Sequence, residues 1–505
     1  MQDNHFYVTT PIYYVSDKPH IGHAYTTILA DVLTRYHRTQ GQKVFFLTGV
    51  DEHGQKVQQA AEKRGLEPQR HADEMAPRFK TLWQRLEIQY DDFIRTTEDR
   101  HKRIVQLALQ KVFDHGDVYA DEYEGWYSVA EERFITETEM QSGQFRDVKK
   151  LKEKNYFFRM SKYQQRLIDH VENNPGFIQP ESRRNEILGF LRQPLGDLCI
   201  SRPKSRLSWG IELPFDKDYV TYVWFDALMN YISAMGWGSD EARFREWWPA
   251  SVQLIGKDIL MTHAIYWPTM LFSLGVELPQ MIFAHGWWLT GDTKMSKSLG
   301  NIVDPLGLVD EYGVDAVRYY LMREMVLGMD SNFSVESFVK RYNSDLANDF
   351  GNLLNRVSGL IGKYFNGAVP QPGQLETDDQ HIQDIATHIL PENIPDLIGQ
   401  MRIHDAIEQT MALVRNVNTY IERQAPWKVV KTDLARTGTI LYTATEALRI
   451  AAVFLSPVMP EKVKQVLDVL GDDGASTAWG GLKPGVQLKI HEALFPRIEV
   501  EKTIQ

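Results

Sequence analysis

Cysteine is almost absent from the 505-residue chain, since Cys199 is its only example. A single cysteine cannot form an intrachain disulfide, and it cannot build a metal site from several thiolates. The chain also lacks any apolar run near the ~18 residues that would span a bilayer. Its first residues have neither the basic start nor the apolar stretch of a secretion signal. These absences predict a soluble, cytoplasmic protein.

Basic residues are in the minority, because 67 acidic side chains outnumber 56 basic ones and give a formal net charge of −11. Such a surface does not attract nucleic acid as a whole, so a polyanion would have to bind local basic clusters. Apolar residues make up 43% of the chain and charged residues 24%, which is ordinary for a folded protein. A chain of 505 residues is too long for one core and should form about two to four domains.

The N-terminal segment is predicted to be a strand, a helix and a second strand. Residues that favour strands fill Phe6–Thr10, and Val44–Leu47 is a short, continuous apolar stretch. Between them, apolar residues recur at helical spacing from Ile21 until Gly41. This order predicts an α/β fold with a Rossmann-like, doubly wound parallel sheet. A further strand is predicted over Tyr219–Trp224.

A charge-rich stretch without strand–helix alternation interrupts this pattern, and helical patterns dominate the C-terminal third. We therefore predict a connective domain inserted into the α/β fold, followed by an all-α bundle. The predicted segments are 1–114 (first α/β half), 115–205 (insertion), 206–275 (second α/β half), 276–335 (a loop region) and 336–505 (the bundle).

The segment His20-Ile21-Gly22-His23 lies where the first strand has ended and the helix begins. Backbone N–H groups and the helix dipole favour an anion at such a helix start. His20 and His23 share one face of the first turn because they are three residues apart. Gly22 has no side chain, so a phosphate can approach the backbone closely. From this segment alone, two surface histidines at a helix start remain the alternative.

The segment Lys294-Met295-Ser296-Lys297-Ser298 is a second candidate for phosphate binding. Its two lysines are three residues apart and are flanked by Gly291 and Gly300, so they form a cationic loop suited to pyrophosphate. Taken alone, such a loop is more often a solvated basic segment.

Together these two segments resemble the paired motifs of the class I aminoacyl-tRNA synthetases, and the sequence around them is similar to the methionyl-tRNA synthetase family. The resemblance covers nearly the whole chain. Its blocks are Thr10–Tyr14 with Pro19–His23, Val50–Gly54, Val223–Leu228, Ile255–Asp258, His285–Trp288, Lys294–Ser298 and Ala425–Lys428. The implied enzyme is a methionine-tRNA ligase of protein synthesis. It would activate methionine with ATP to methionyl-adenylate and transfer it to the terminal adenosine of tRNA(Met), both initiator and elongator.

The resemblance implies which residues bind ATP and its Mg²⁺ ion. His20, His23, Lys294 and Lys297 would be the catalytic residues. They would act by neutralising the charge that gathers on phosphate oxygens, a task of positioning and electrostatics. The implied ATP-binding set is His20, Gly22, His23, Gly256, Asp258, His285, Gly286, Trp288 and Lys297.

The resemblance also implies a methionine pocket, in which Asp51 pairs with the substrate ammonium. Aromatic walls suit a thioether, because sulfur–aromatic contacts are favourable by ~0.3–1.5 kcal/mol. The Tyr231 hydroxyl would point at the sulfur, and His263 would fix its direction. The implied set is Ile12, Tyr14, Asp51, Trp224, Ala227, Leu228, Tyr231, Ile259 and His263. Taken singly, each of these residues is equally compatible with a place in the core.

For tRNA, the resemblance implies stem contacts from 276–335 and anticodon reading by the bundle. Asn352 and Arg356 lie four residues apart and project from one helix face. Trp427 offers a flat face to an unstacked base. A solvated helix face is the alternative for the first two residues. The chain ends at Gln505, soon after the last predicted helix, so we expect a monomer without a further tRNA-binding module.

Members of the family often carry a zinc knuckle in the insertion, and this sequence departs from that pattern. The segment Tyr123–Tyr127 matches the start of the knuckle, but Ser128 and Ala130 or Glu131 stand where the first cysteine pair would fall. Gln144–Lys154 contains neither cysteine nor histidine. A serine hydroxyl and an alanine cannot replace thiolates on Zn²⁺. We therefore expect no structural zinc.

Several other functions stay open at this point. A small-molecule nucleotidyltransferase has a similar His-x-Gly-His turn, but it has no need for the helical third. The sister synthetases for branched-chain amino acids carry an editing domain for which the insertion is too small. The cysteine enzyme depends on a zinc site, which a single cysteine cannot supply. A catalytically inactive RNA-binding relative is disfavoured by the intact histidines and lysines of the two motifs.

Overall fold

The computed structural model describes residues 5–128, 133–135, 137–144, 147–291, 293–294, 303–326, 328–474, 476–490 and 492–499. The chain forms two compact units. Unit 1 comprises Met1–Ala30, Gly41–Gln84 and Ile88–Gly286, and unit 2 comprises Asp31–Gln40, Arg85–Glu87 and Trp287–Gln505.

Unit 1 alternates strands and helices. Its strands are β1 (His5–Tyr14), β2 (Lys43–Asp51), β3 (Asp92–Arg95), β4 (Val118–Ser128), β5 (Arg133–Ile135), β6 (Val148–Phe158), β7 (Ile178–Gln179), β8 (Leu198–Cys199), β9 (Ser201–Pro203), β10 (Glu212–Leu213), β11 (Asp216–Thr221), β12 (Val252–Gly256) and β13 (Ile282–His285). Its helices are α1 (Ile21–Thr39, which continues into unit 2), α2 (Gln55–Lys63), α3 (Pro68–Arg85), α4 (Asp99–Asp114), α5 (Glu137–Gln141), α6 (Gln164–Asn173), α7 (Glu181–Leu191), α8 (Val223–Leu228), α9 (Asn230–Ser233), α10 (Glu241–Trp247) and α11 (Trp267–Leu274). Short helical turns at Met160–Tyr163, Lys257–Ile259 and Thr262–Tyr266 complete it.

A six-stranded parallel sheet in the order β3-β2-β1-β12-β13-β7 organises unit 1. From β1 the chain winds outward through β2 and β3, and later it winds to the other side through β12 and β13. The order therefore reverses between β1 and β12. In open α/β sheets, ligands bind outside the carboxyl ends of the strands at such a switch point. The predicted doubly wound fold is confirmed.

The first strand is longer than the β-forming stretch Phe6–Thr10 predicts, since β1 continues to Tyr14. Pro11 has no N–H group to donate to a ladder. The pairing with β2 shifts register between Thr9 and Ile12, and this irregularity accommodates the proline. The extension aligns Tyr14 with Asp51 at the carboxyl edge of the sheet.

The insertion contains a four-stranded sheet in the order β5-β4-β6-β8, whose described pairs are antiparallel. A further strand of the insertion, β7, lies outside this sheet. It pairs in parallel with β13 and forms an edge of the six-stranded sheet. Ala130 and Glu131, which stand where a cysteine of the zinc knuckle would fall, lie outside the described residues.

The predicted strand over Tyr219–Trp224 is partly wrong. The strand β11 ends at Thr221, and Val223 and Trp224 open helix α8. Asp226 stands in the first turn of this helix, where a negative charge complements the helix dipole. Burial of α8 against the core of unit 1 outweighs the strand preference of its first residues.

Unit 2 is mainly helical, as predicted for the C-terminal third. Its strands are β14 (Trp288–Thr290), β15 (Thr293–Lys294) and β16 (Ser331–Asn332). Its helices are α12 (Pro305–Tyr312), α13 (Val314–Glu324), α14 (Val335–Arg341), α15 (Asn352–Phe365), α16 (Thr377–Asp384), α17 (Leu390–Gly399), α18 (Ile403–Gln424), α19 (Pro426–Val429), α20 (Leu434–Leu455) and α21 (Pro460–Leu470), with wider turns at Tyr342–Gly351 and Ile385–Ile389. Among the described residues, α20 alone is long and apolar enough to cross a membrane, but 89% of its apolar window is buried as the core helix of this unit.

Candidate active site

The carboxyl edge of the parallel sheet gathers the motif segments of unit 1. The His20–His23 turn follows β1, Asp51 ends β2, Gly256 ends β12 and His285 ends β13. All four come from the central strands of the sheet. Segments that are far apart in sequence therefore meet at one edge because parallel strands share the direction of their carboxyl ends.

The two histidines of the first motif lie face to face at the start of α1. Their ring centroids are 3.9 Å apart. The backbone N–H of His20 donates to Nδ1 of His23, and that of Gly22 donates to Nδ1 of His20, both at 3.1 Å. A ring that accepts at Nδ1 carries its proton on Nε2 when neutral. Burial, followed by the neighbouring His20, holds the pKa of His23 well below its usual value. The pair is therefore built as neutral Nε2–H donors.

Gly22 lies close to the His20 ring. A Cβ atom at this position would lie 3.0 Å from Cε1 and 3.2 Å from Nδ1 of the His20 ring. A side chain at this position would therefore require the His20 ring to shift by a few tenths of an ångström.

A second cluster surrounds Tyr231 and His263, which are each only 1% exposed. The Tyr231 hydroxyl lies 2.8 Å from Nε2 of His263, and Nδ1 of His263 lies 2.9 Å from the carbonyl oxygen of Ile259. A carbonyl only accepts, so Nδ1 carries the proton and Nε2 accepts from Tyr231. The hydroxyl proton is thus directed at His263 and not, as the sequence suggested, at a thioether sulfur. Burial lowers the pKa of His263 to about 4 and keeps the ring neutral.

The other side chains of the predicted pocket are buried or half-buried in unit 1. The Trp224 ring meets His263 edge-on with 6.1 Å between centroids. Leu228 belongs to the same buried core, and Ala227 beside it is also buried. The half-buried residues Ile12, Tyr14 and Ile259 pack against that core. The structure thus places the predicted apolar residues in buried or half-buried positions of unit 1, with Trp224 in ring contact with His263.

Asp51 is 3% exposed, and its Oδ1 accepts the backbone N–H of His53 at 3.4 Å. The next residue, Glu52, is fixed by the end of β3. Its Oε1 binds Arg95 at 2.7 Å, and its backbone N–H donates to Thr96 at 3.0 Å. Asp51 therefore stands on a rigid strand end.

Gly256 and His285 form the opposite part of the edge. A Cβ on Gly256 would lie 2.6 Å from Oδ1 of Asp258, so a side chain here would displace the Asp258 carboxylate. Nδ1 of His285 donates to the Gly286 carbonyl at 2.7 Å, and Nε2 accepts from Thr26 at 2.7 Å. Burial lowers the pKa of His285. This neutral ring therefore braces the first turns of α1 against β13.

The other predicted ATP-binding residues belong to unit 2. Trp288 is buried and packs on Tyr320, with 5.8 Å between ring centroids. Lys294 pairs with Leu289 in the β14–β15 hairpin. Lys297 lies outside the described residues.

The predicted anticodon residues occupy two helices of unit 2. Asn352 is exposed at the start of α15, and the half-buried Trp427 follows Pro426 at the start of α19. Arg356 is half-buried and already engaged, since it binds Glu422 at 2.7 Å and Asn418 at 3.2 Å.

Sequence reasoning missed a buried carboxylate beside the methionine-pocket residues. Asp226 is 1% exposed and hydrogen-bonds to His53 and His101. The one available signal was an acidic residue inside the apolar run of α8.

The described residues hold no group of three or more His, Cys, Asp or Glu side chains placed to bind a metal ion.

Comparison with known families matches both parts of the chain. A family described as "tRNA synthetases class I (M)" matches residues 6–144 and 142–358, and "Anticodon binding domain of methionyl tRNA ligase" matches 369–505. A methionine–tRNA ligase of Clostridium acetobutylicum is 47% identical over 99% of this chain and 79% of the relative. One of Caldanaerobacter subterraneus is 45% identical over 99% of this chain and 80% of the relative.

Solved structures agree with these matches. The Mycobacterium tuberculosis methionyl-tRNA synthetase in complex with methionyl-adenylate superposes with a TM-score of 0.94 and 40% identity, over 98% of this chain and 100% of that one. Its apo form gives a TM-score of 0.86 and 38% identity, over 98% and 99% of the two chains.

Proposed function

This chain belongs to the methionyl-tRNA synthetase family of class I, and we propose how its residues divide the work of that enzyme. The activity is that of a methionine-tRNA ligase, in which methionine is activated with ATP and then joined to tRNA. The roles of individual residues, the metal ion and the tRNA species are the proposal.

The observation that carries the proposal is a pair of features in unit 1: the buried carboxylate of Asp51 at the end of β2 and the buried aromatic cluster around Tyr231 and His263. Asp51 offers a carboxylate for the substrate ammonium, and the next residue, Glu52, is anchored to Arg95. The neutral Tyr231–His263 pair, with Trp224, offers an aromatic surface for the thioether. Ile12, Tyr14, Ala227, Leu228 and Ile259 complete the lining.

ATP is proposed to lie along the rest of the same edge. Nε2–H groups of His20 and His23 donate to phosphate oxygens, where charge gathers during attack by the methionine carboxylate. Gly22 admits the phosphates, and Gly256 admits the ribose, whose hydroxyls Asp258 accepts. Gly286 and Trp288 hold the adenine, and the role of His285 is to place that segment.

Lys294 and Lys297 are proposed to neutralise the leaving pyrophosphate as charge develops on it. Mg²⁺ enters with ATP as part of the substrate. Because this attraction is strongest in the transition state, Lys297→Ala should slow adenylate formation ~10²-fold while methionine affinity changes little.

For tRNA(Met), Asn352 and Trp427 are proposed to contact the anticodon. Arg356 would have to exchange its bond to Glu422 for one to RNA. Initiator and elongator tRNAs would both be charged because they share the anticodon. Action as a monomer and a cytoplasmic location stay predictions.

The test is methionine-dependent ATP–pyrophosphate exchange with a panel of amino acids. We expect methionine alone to support fast exchange, and Asp51→Asn to raise the KM for methionine far more than the KM for ATP. Exchange with valine, isoleucine or cysteine at a comparable rate would contradict the proposal.

A further inference from the structure

Asp226 is a buried carboxylate with both oxygens engaged. Its Oδ2 lies 2.6 Å from Nδ1 of His53, and its Oδ1 lies 2.7 Å from Nε2 of His101. Asp226 is 1% exposed, and the side chains of the two histidines are 4% and 0% exposed. An ionised carboxylate only accepts, so each imidazole donates an N–H to it. Three elements, namely α8, α4 and the loop after β2, are thus joined at one group.

The carboxylate is held in its charged form. Burial alone would raise the pKa of Asp226, but the attraction of His53 and the hydrogen bonds from His101 and His53 outweigh it and lower this pKa to about 2. Hydrogen bonds with an ionised partner are stronger than neutral ones. The link is therefore stiff at neutral pH.

The two ends of this link lead to the two halves of the methionine pocket. On one side, the backbone N–H of His53 donates to Asp51 at 3.4 Å. On the other, Nδ1 of His101 bonds to the hydroxyl of Ser233 at 2.8 Å, two residues beyond Tyr231 on α9.

Asp226 itself lies in the same helix as three lining residues, Trp224, Ala227 and Leu228. The carboxylate therefore ties the segment that carries Asp51 to the helix that shapes the side-chain cavity.

The His53 segment is supported from a further side. The His53 ring lies against Trp209, with 5.2 Å between centroids. The Trp209 indole N–H donates to the carbonyl of Glu52 at 2.5 Å, and its own carbonyl accepts the N–H of Gly54 at 3.3 Å. These bonds fix the backbone of the segment, while Asp226 fixes its position relative to α8.

We propose that Asp226 is a positioning residue for methionine recognition, which sets the distance between Asp51 and the thioether cavity. The inference rests on the proposed role of Asp51. A substrate whose ammonium and sulfur must both be satisfied is sensitive to this distance. A substrate with only one of these groups is not.

The test uses Asp226→Asn, which preserves shape but removes the charge and one acceptor. In ATP–pyrophosphate exchange we expect the KM for methionine to rise ~10-fold or more, because a misplacement of about 1 Å is costly in a pre-organised site. The KM for ATP should stay within about twofold. The desamino analogue of methionine should inhibit wild type and variant equally, since it has no ammonium.

A matched control is Asp117→Asn. Asp117 is an equally buried carboxylate of unit 1 that binds Ser273 and Lys162, both at 2.6 Å. Its loss should lower stability without changing the KM for methionine. If Asp226→Asn behaves like this control, or weakens the desamino analogue as much as methionine, the inference is wrong.

A double-mutant cycle with Asp51→Asn gives an independent readout. If Asp226 acts through Asp51, the effects on methionine KM should be far from additive. Additive effects would overturn the inference while leaving the proposed function intact, whereas failure of wild-type exchange with methionine would overturn the function itself.

If Asp226→Asn does not fold, Ser233→Ala removes the outer hydrogen bond of the link. It should raise the KM for methionine about threefold, since one neutral hydrogen bond is lost. An unchanged KM would then contradict the proposal.

Discussion

Tyr231 donates its hydroxyl proton to Nε2 of His263 across 2.8 Å, and both side chains are buried. The direction of this bond follows from the second nitrogen of His263, which donates to Ile259. The pair therefore presents a neutral surface, because the Tyr231 hydroxyl proton is already hydrogen-bonded to His263. Such a surface suits an apolar thioether better than a charged side chain.

Tyr231→Phe should leave Nε2 of His263 without its donor. A buried acceptor that loses its partner costs about 1–3 kcal/mol, so we expect a lower free energy of unfolding. The KM for methionine should rise about fivefold to tenfold, and the KM for ATP should not change. Tyr442→Phe is the control, because it removes a buried hydroxyl that donates to Leu482 in unit 2 at 3.0 Å. An unchanged KM for methionine would exclude Tyr231 from the pocket.

The low pKa of His263 makes the stability of the protein depend on pH. A histidine in the unfolded chain has a pKa of about 6.5, whereas His263 in the folded chain has a pKa of about 4. Between these values the unfolded chain binds a proton that the folded chain does not, so the free energy of unfolding falls as pH falls. The contribution is complete above about pH 6.5 and is lost toward pH 4.

From pH 7 to pH 5, the wild type should therefore lose about 2 kcal/mol more than His263→Gln. Urea denaturation of both proteins at the two pH values measures the difference. The other histidines with lowered pKa, among them His23 and His285, cancel in this comparison. Equal losses would show that His263 is charged or exposed in the folded protein.

The first motif and the β1–α1–β2 unit around it were predictable because both are local in sequence. A strand, a glycine-containing turn and a helix specify the His20–His23 site within about twenty residues. The Asp226 link was not predictable, since His53, His101 and Asp226 are separated by long stretches and no sequence pattern pairs them. Only the fold brings them together.

Two local features differ from the sequence prediction because tertiary contacts determine them. The β-forming residues Val223 and Trp224 begin a helix because α8 is held by its buried contacts, which intrinsic preference does not report. Likewise, nothing in Ile178–Gln179 indicates that this short strand of the insertion joins the edge of the main sheet beside β13.

Trp427→Ala should impair tRNA charging but spare methionine-dependent ATP–pyrophosphate exchange, because the residue lies in unit 2, whereas the methionine-pocket residues lie in unit 1. A lost stacking contact costs about 1–3 kcal/mol per base, so we expect charging at limiting tRNA to fall about 10-fold. Trp479→Ala, at another half-buried tryptophan of unit 2, is the control and should charge normally. Equal damage to exchange and charging would contradict the assignment of anticodon reading to Trp427.

The chain should need no zinc. Elemental analysis of the purified protein is expected to find less than about a tenth of an equivalent per chain. Dialysis against a chelator, followed by restoration of Mg²⁺, should leave full exchange activity. Stoichiometric zinc, or unfolding by the chelator, would contradict the prediction from Ser128 and its neighbours.

The most direct test of the account is a crystal structure of this chain with methionine bound. We predict that the substrate ammonium lies within hydrogen-bonding distance of the Asp51 carboxylate. The thioether should contact the Tyr231 and His263 rings, and the His53–Asp226–His101 link should be unchanged. An ammonium that binds another group, or a thioether outside the Tyr231–His263 cluster, would contradict the central claim.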